Sequence, residues 1–204
     1  MNYSKFQVDE DKDVHQTVAK DNQINTPKRF KALLDWICSV GLCIVVVLII
    51  QNFIILPTVV IGDSMKSTLS DSERFFANRF IYYFKDPKAG DIITFHGDES
   101  QDYVKRVIAV GGQTVEIIDD ELYVNSVLVE ESYIELLRQR AIDEGRKKFM
   151  NNFGPYVVPD DEIFVMGDNR NNSYDSRDFG SITKDKIIGK AELVFWPLKD
   201  IRMP

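Results

Sequence analysis

The chain has 204 residues, 44% hydrophobic and 28% charged, enough for one domain of ordinary size with an appendage. Its formal net charge of -7 argues against a nucleic-acid binder, which concentrates positive charge in a patch. Two cysteines, Cys38 and Cys43, and two histidines, His15 and His96, leave almost nothing for a Cys/His zinc site or a cysteine protease, so no metal or other cofactor is expected.

In chain order, the polar N-terminal tail shows neither helical nor strand period and reads as disordered. Residues 36–56 (WICSVGLCIVVVLIIQNFIIL) carry no charge. A helix needs roughly 20 apolar residues to cross a bilayer, so this run is long enough. It exceeds the ~7–15 apolar residues of a cleaved secretory signal, and no small-residue cleavage site follows it. The reading is an uncleaved signal anchor, closed by Pro57.

Lys28, Arg29 and Lys31 crowd the N-terminal flank, whereas the next basic residue after the run is Lys66. Excess Lys and Arg marks the cytoplasmic side. Three segments follow: a cytoplasmic tail (1–35), a transmembrane helix (36–56) and an extracytoplasmic domain (57–204), with membrane lipid as a partner. Residues 1–31 hold six Lys/Arg and five Asp/Glu, net +1, which leaves -8 for the exported remainder.

That remainder consists of short apolar stretches separated by turn residues. Strands are predicted over 58–61, 74–80, 91–95, 103–110, 114–118, 121–124, 156–158, 162–166 and 187–196. Turn signals such as Asp86-Pro87, Gly111-Gly112 and Asp119-Asp120 fall between them. The fold class is mainly β: a folded antiparallel sheet or barrel-like domain. Residues 130–149 (EESYIELLRQRAIDEGRKKF) break the pattern, with Ile134, Leu137, Ala141 and Ile142 at helical spacing, and read as a helical insertion.

Three clusters can carry chemistry. Gly62-Asp63-Ser64-Met65 lies just past the apolar run, in a turn able to expose the Ser64 hydroxyl. A serine needs a base to become nucleophilic. Lys105 lies in YVKRVIAV, where strand period places Tyr103, Lys105 and Val107 on one face, and Val104 and Arg106 on the other. On an apolar face a lysine loses solvation, its pKa falls, and the neutral amine becomes a general base. The third cluster, Gly167-Asp168-Asn169-Arg170-Asn171-Asn172-Ser173-Tyr174-Asp175-Ser176-Arg177, offers hydroxyls and carboxylates to orient that amine. Taken singly, each cluster has an ordinary structural alternative: a turn serine, an edge lysine, a loop with ion pairs. Among the histidines only His96 lies on the exported side and could compete for the role of base.

Together, in this order behind one span, the clusters strongly resemble the bacterial type I signal peptidases, over about residues 36–196. The third cluster matches the family block Gly-Asp-Asn-Arg…Ser-x-Asp-Ser-Arg at every defining position. The resemblance implies a membrane-bound serine endopeptidase that removes signal peptides from exported preproteins, in the single-span subtype. It implies Ser64 as nucleophile, Lys105 as base, and Ser173 hydrogen-bonded to the lysine amine. Asp175 and Arg177 would form a supporting ion pair, with Asp168 and Arg106 in similar roles. Met65 and Tyr103 would lie beside the pocket for the substrate's small residue. Gly62 holds the position where some members supply an oxyanion hydroxyl.

The family usually reads Ser-Met-x-Pro-Thr-Leu, but here Ser67 replaces the proline. That departure keeps open a non-catalytic relative, such as a pilus-assembly factor, although such a protein would be expected to lack the serine or the lysine. A self-cleaving repressor shares Ser–Lys chemistry but carries a DNA-binding domain where this chain has a tail and an apolar run. Pro57 to Ser64 spans at most about 25 Å even fully extended, so the nucleophile is expected near the membrane, where signal peptides emerge.

Overall fold

The computed structural model describes residues 28–97, 101–146 and 148–204. The chain divides into two units, 1–48 and 49–204. Most of the N-terminal tail, with His15, lies outside the described residues.

The described part of the first unit is helix α1 (Lys28–Ile49), followed by a π-helical turn over Ile50–Ile54. Within residues 29–49 an 18-residue stretch reaches a mean hydropathy of 2.6, and none of these residues is buried. A helix of that length, apolar on all sides, is suited to lipid. Cys38 and Cys43 are unpaired within it. The helix starts eight residues before the predicted span, because KRFKALLD is built mostly of good helix formers although it is not apolar enough to be read as membrane. It also stops before Pro57. That proline sits inside strand β1 (Ile55–Val59), paired with Phe76. β1 is an edge strand, where proline is tolerated.

The second unit is two antiparallel sheets. Strands β2 (Arg74–Asn78), β3 (Ile92–His96), β4 (Asp102–Val110), β9 (Glu162–Met166), β10 (Ile182–Thr183) and β11 (Ile187–Trp196) join β1 in the order β1-β2-β11-β3-β4-β9-β10. Strands β5 (Thr114–Ile118), β6 (Glu121–Val124), β7 (Val127–Leu128) and β8 (Phe153–Val157) form the second sheet in the order β7-β6-β5-β8. The mainly antiparallel β class stands as expected, with one N-terminal apolar helix. The insertion forms a 3-10 turn, Ser132–Ile134, and helix α2 (Glu135–Asp143), and a single turn, α3 (Ser176–Phe179), follows β9.

Central strand β4 carries the fold's main device. It pairs with β3 on one side and β9 on the other, and a bulge interrupts the β9 register between Val107 and Ala109. The extra residue re-aims the chain. Val107 packs with Ile93, Phe95 and Val165, while Ile108 and Ala109 both pack with Val115, Ile117, Phe164 and Met166. One strand therefore serves two cores. A third cluster gathers Val60, Met65, Leu69, Phe75 and Val194 beneath the β1–β2 connection.

Candidate active site

Ser64 lies in the turn between β1 and β2. Gly62 opens it at φ +88°, a conformation that glycine adopts without strain, and its N–H donates to Asp71 Oδ1 at 2.7 Å. A helical turn follows, in which Lys66 N donates to Asp63 O (3.1 Å) and Leu69 N to Met65 O (2.8 Å). Met65 and Leu69, 1% and 0% exposed, pin the turn into the core. Ser64 itself is half-buried. From the loop after β9, Asn169 N donates to Ser64 O at 2.9 Å and Asn169 Nδ2 to Asp63 O at 3.0 Å.

Gly167 completes this junction. A Cβ at that position would stand 2.2 Å from Ser173 Oγ and 2.5 Å from Ser64 O. Glycine is what allows the nucleophile turn and Ser173 to close on the end of β9. The Ser173 hydroxyl oxygen is buried and lies near the Asp175 carboxylate, whose pKa it helps to lower.

Lys105 is opposite Ile93 on β3 and only 3% exposed. Burial lowers its pKa from 10.5 to about 8; Asp175 opposes that shift, Arg177 adds to it, and Asp168 and Asp178 oppose it. Its Nζ is 5.9 Å from the ring centre of Tyr103, which shares the strand face. No hydrogen bond joins the Ser64 hydroxyl to the Lys105 amine among the described residues; such contacts commonly tighten only when substrate binds.

Two bidentate ion pairs flank the lysine. Arg106 Nε and Nη2 donate to Asp168 at 2.9 and 2.7 Å, and Arg106 Nη2 and Asp168 Oδ2 both engage Thr68 Oγ1, at 3.1 and 2.5 Å. This ties β4 to the nucleophile turn. Arg177 Nε and Nη2 donate to Asp175 at 2.8 Å each, and Asp175 Oδ2 also accepts Gly167 N at 3.0 Å. Burial pushes the Asp175 carboxyl up, but the Arg177 hydrogen bonds and charge outweigh it and hold the group below its ordinary value. Asp175 also caps α3 in a capping box with Asp178.

Ser173, Asp175, Arg177, Asp168 and Arg106 thus assemble around Lys105 and the Ser64 turn. Tyr103 lines a cavity of about 100 Å³ with Phe95, His96 and Phe179. Met65 is 1% exposed and packs with Val60, Leu69 and Phe75 directly beneath the Ser64 turn. His96 is exposed and paired with Asp102 (2.8 Å), at the other end of the β3–β4 ladder from Arg106. Among the described residues no cluster of His, Cys, Asp or Glu could hold a metal ion.

Sequence reasoning gave no role to Thr68, Arg170, Glu131 or Tyr133. Arg170 and Glu131 form a fully buried pair, with Nη1–Oε2 at 3.0 Å and Nη2–Oε1 at 2.5 Å. Arg170 lies within a quoted motif and could have been singled out. Its partner is 39 residues away, and no local signal marks it.

A turn serine, a desolvated lysine and paired carboxylates on a folded antiparallel sheet fit a peptidase of the serine class. Comparison with known proteins then gives the family. The family model described as "Signal peptidase, peptidase S26" matches residues 33–196, and the chain belongs to that family. It is 43% identical to "Signal peptidase I S" of Bacillus subtilis, over 84% of this chain and 94% of that one. It is 42% identical to "Signal peptidase I" of Bacillus amyloliquefaciens, over 90% and 98%, and 38% identical to "Signal peptidase IB" of Staphylococcus aureus, over 84% and 94%. The protein is an enzyme of the signal peptidase I kind, a serine endopeptidase that removes signal peptides from preproteins. The assembly-factor alternative is not favoured.

Proposed function

We propose that Ser64 is the nucleophile and Lys105 its general base, in a domain held outside the cytoplasm by α1. The observation that carries this reading is Lys105: a lysine 3% exposed, with its pKa lowered to about 8, among the residues that fix the Ser64 turn. Neutral Lys105 takes the Ser64 proton as the serine oxygen attacks the peptide carbonyl. The Ser64 backbone N–H, to which no described acceptor is bonded, is available to the oxyanion. With Gly62 two residues earlier, no side-chain hydroxyl from that position joins it. The protonated lysine then gives its proton to the departing amine, and the same base activates the water that releases the acyl group. Ser173, whose buried hydroxyl lies against Gly167 at the junction with the Ser64 turn, is suited to orient the amine.

The placement of charge about α1 supports the orientation. Lys28, Arg29 and Lys31 precede the apolar stretch and no basic residue follows it before Lys66, so the N-terminus is cytoplasmic and lipid surrounds the helix. The deciding assay is cleavage of a secretory precursor by detergent-solubilised full-length enzyme. Wild type should cut after a small-x-small sequence, and Ser64→Ala and Lys105→Ala should both be inactive. Activity surviving in Lys105→Ala would remove the lysine from the mechanism and make His96 the next base to test.

A further inference from the structure

We infer that the first turn of the 130–149 insertion is a positioning element of the catalytic centre, acting through Glu131 and Tyr133. This deepens the Ser64–Lys105 reading and rests on it. The insertion leaves the second sheet after β7, yet its first residues end against the loop that follows β9. Glu131 is 6% exposed and Arg170 2%. Both carboxylate oxygens of Glu131 accept from Arg170, and Glu131 Oε1 also accepts the Tyr133 hydroxyl at 2.5 Å. Arg170 Nη2 reaches Tyr133 Oη at 3.2 Å, and Arg170 Nη1 reaches Met150 Sδ at 3.2 Å.

What Arg170 does with its remaining groups gives this pair its consequence. Its Nε donates to Gly167 O at 3.1 Å, and its own carbonyl accepts Arg177 Nη2 at 2.7 Å. Gly167 is the residue wedged between Ser64 O and Ser173 Oγ, and Arg177 is the partner of Asp175. A second route runs through the Tyr133 ring, which lies 3.9 Å from the Arg106 guanidinium carbon. Arg106 holds Asp168 and Thr68, and so the nucleophile turn. Two buried arginines, each reaching the site from behind, are therefore set by one short segment. Among the described residues no hydrogen bond or ion pair joins Glu131 or Tyr133 to the Ser64 or Lys105 side chain, so both act as positioning residues.

A purely structural pair would affect how much enzyme is folded and leave the turnover of each folded molecule alone. The test therefore compares Glu131→Gln and Tyr133→Phe with Phe149→Leu, a change in the core under the same insertion, with kcat and KM measured separately and corrected for folded fraction by circular dichroism. Glu131→Gln is expected to lose about 10- to 100-fold in kcat with KM within about twofold, the scale of a small misplacement at a reacting centre. Tyr133→Phe should lose less, because its ring stays on Arg106. Phe149→Leu should lower the melting temperature and leave kcat per folded molecule unchanged. The double variant Glu131→Leu/Arg170→Met replaces a buried ion pair with apolar side chains and is expected to recover stability, while kcat stays low. Full kcat in that double variant, or an effect of Glu131→Gln no larger than that of Phe149→Leu, overturns the inference. Ser64→Ala run alongside keeps the readings apart. Activity surviving there overturns the dyad and this inference with it, whereas activity lost there with normal turnover in Glu131→Gln overturns the inference alone.

Discussion

Replacing Lys105 by methionine should abolish cleavage and stabilise the protein. Lys105 is 3% exposed, and burial brings its pKa from 10.5 to about 8. Holding that amine charged in the fold at pH 7 costs about 3 kcal/mol relative to water, which methionine, of similar length and apolar, avoids. The pH dependence identifies the cause. Below about 8 both folded and unfolded chains keep the proton, so the full cost is present. Between about 8 and 10.5 the unfolded chain binds the proton and the folded chain does not, so wild-type stability rises with pH. Above 10.5 neither is charged and the cost is gone. The advantage of Lys105→Met should therefore be about 3 kcal/mol at pH 7 and shrink toward zero by pH 10.5. Urea unfolding of the full chain in detergent micelles measures it, followed by Trp196 fluorescence in a Trp36→Phe background. A variant no more stable than wild type at pH 7, or an advantage that stays flat to pH 10.5, would refute the picture of a desolvated lysine.

Three further expectations follow from the same geometry. Wild-type kcat/KM should rise with pH through about 8 as Lys105 gives up its proton, and a pH–rate profile checks this. Gly167→Ala places a methyl group 2.2 Å from Ser173 Oγ and 2.5 Å from Ser64 O; cleavage should fall by about 100-fold in a chain whose circular dichroism is unchanged. Ser67 adopts φ +115°, which proline cannot reach, so Ser67→Pro should lower activity while Ser67→Gly retains it and gains up to about 1 kcal/mol in urea unfolding. The reverse order of activities would show that the turn prefers the proline conformation.

Where the sequence was legible, the reason is local. Strands β5, β6, β9 and β11 run over the predicted residues because their apolar runs are bounded by turn signals such as Gly111-Gly112 and Asp119-Asp120. Strands β7 and β10, two residues each, are too short to carry a period. Hydropathy locates lipid-compatible residues, not helix ends, which is why α1 begins at Lys28 and stops short of Pro57. The site follows the same rule. Gly167, Asp168, Ser173, Asp175 and Arg177 lie within eleven consecutive residues, and their chemistry shows as a motif. Glu131 and Tyr133 reach the site only because the insertion folds back over the loop after β9. For Met65 the sequence shows that an apolar residue follows the nucleophile, and the fold adds that its side chain packs with Val60, Leu69 and Phe75.

Burial sets the pKa of Lys105 even though four charges press on it. Asp175, Asp168 and Asp178 favour the protonated amine, Arg177 disfavours it, and burial is the largest influence. Arg177 holds Asp175 bidentately, so at the lysine its positive charge offsets part of the effect of that carboxylate. Breaking one pair from either side should therefore move the base in opposite directions. In Asp175→Asn the lysine loses its strongest favourable charge and keeps Arg177, so the acid limb of the pH–rate profile should shift below that of wild type. In Arg177→Gln a bare Asp175 remains, so the limb should shift upward, and activity lost at pH 7 should return at higher pH. A general disturbance of the loop would lower the rate in both variants without separating their limbs. Limbs that coincide with that of wild type in both would show that these pairs hold the loop and leave the base untouched.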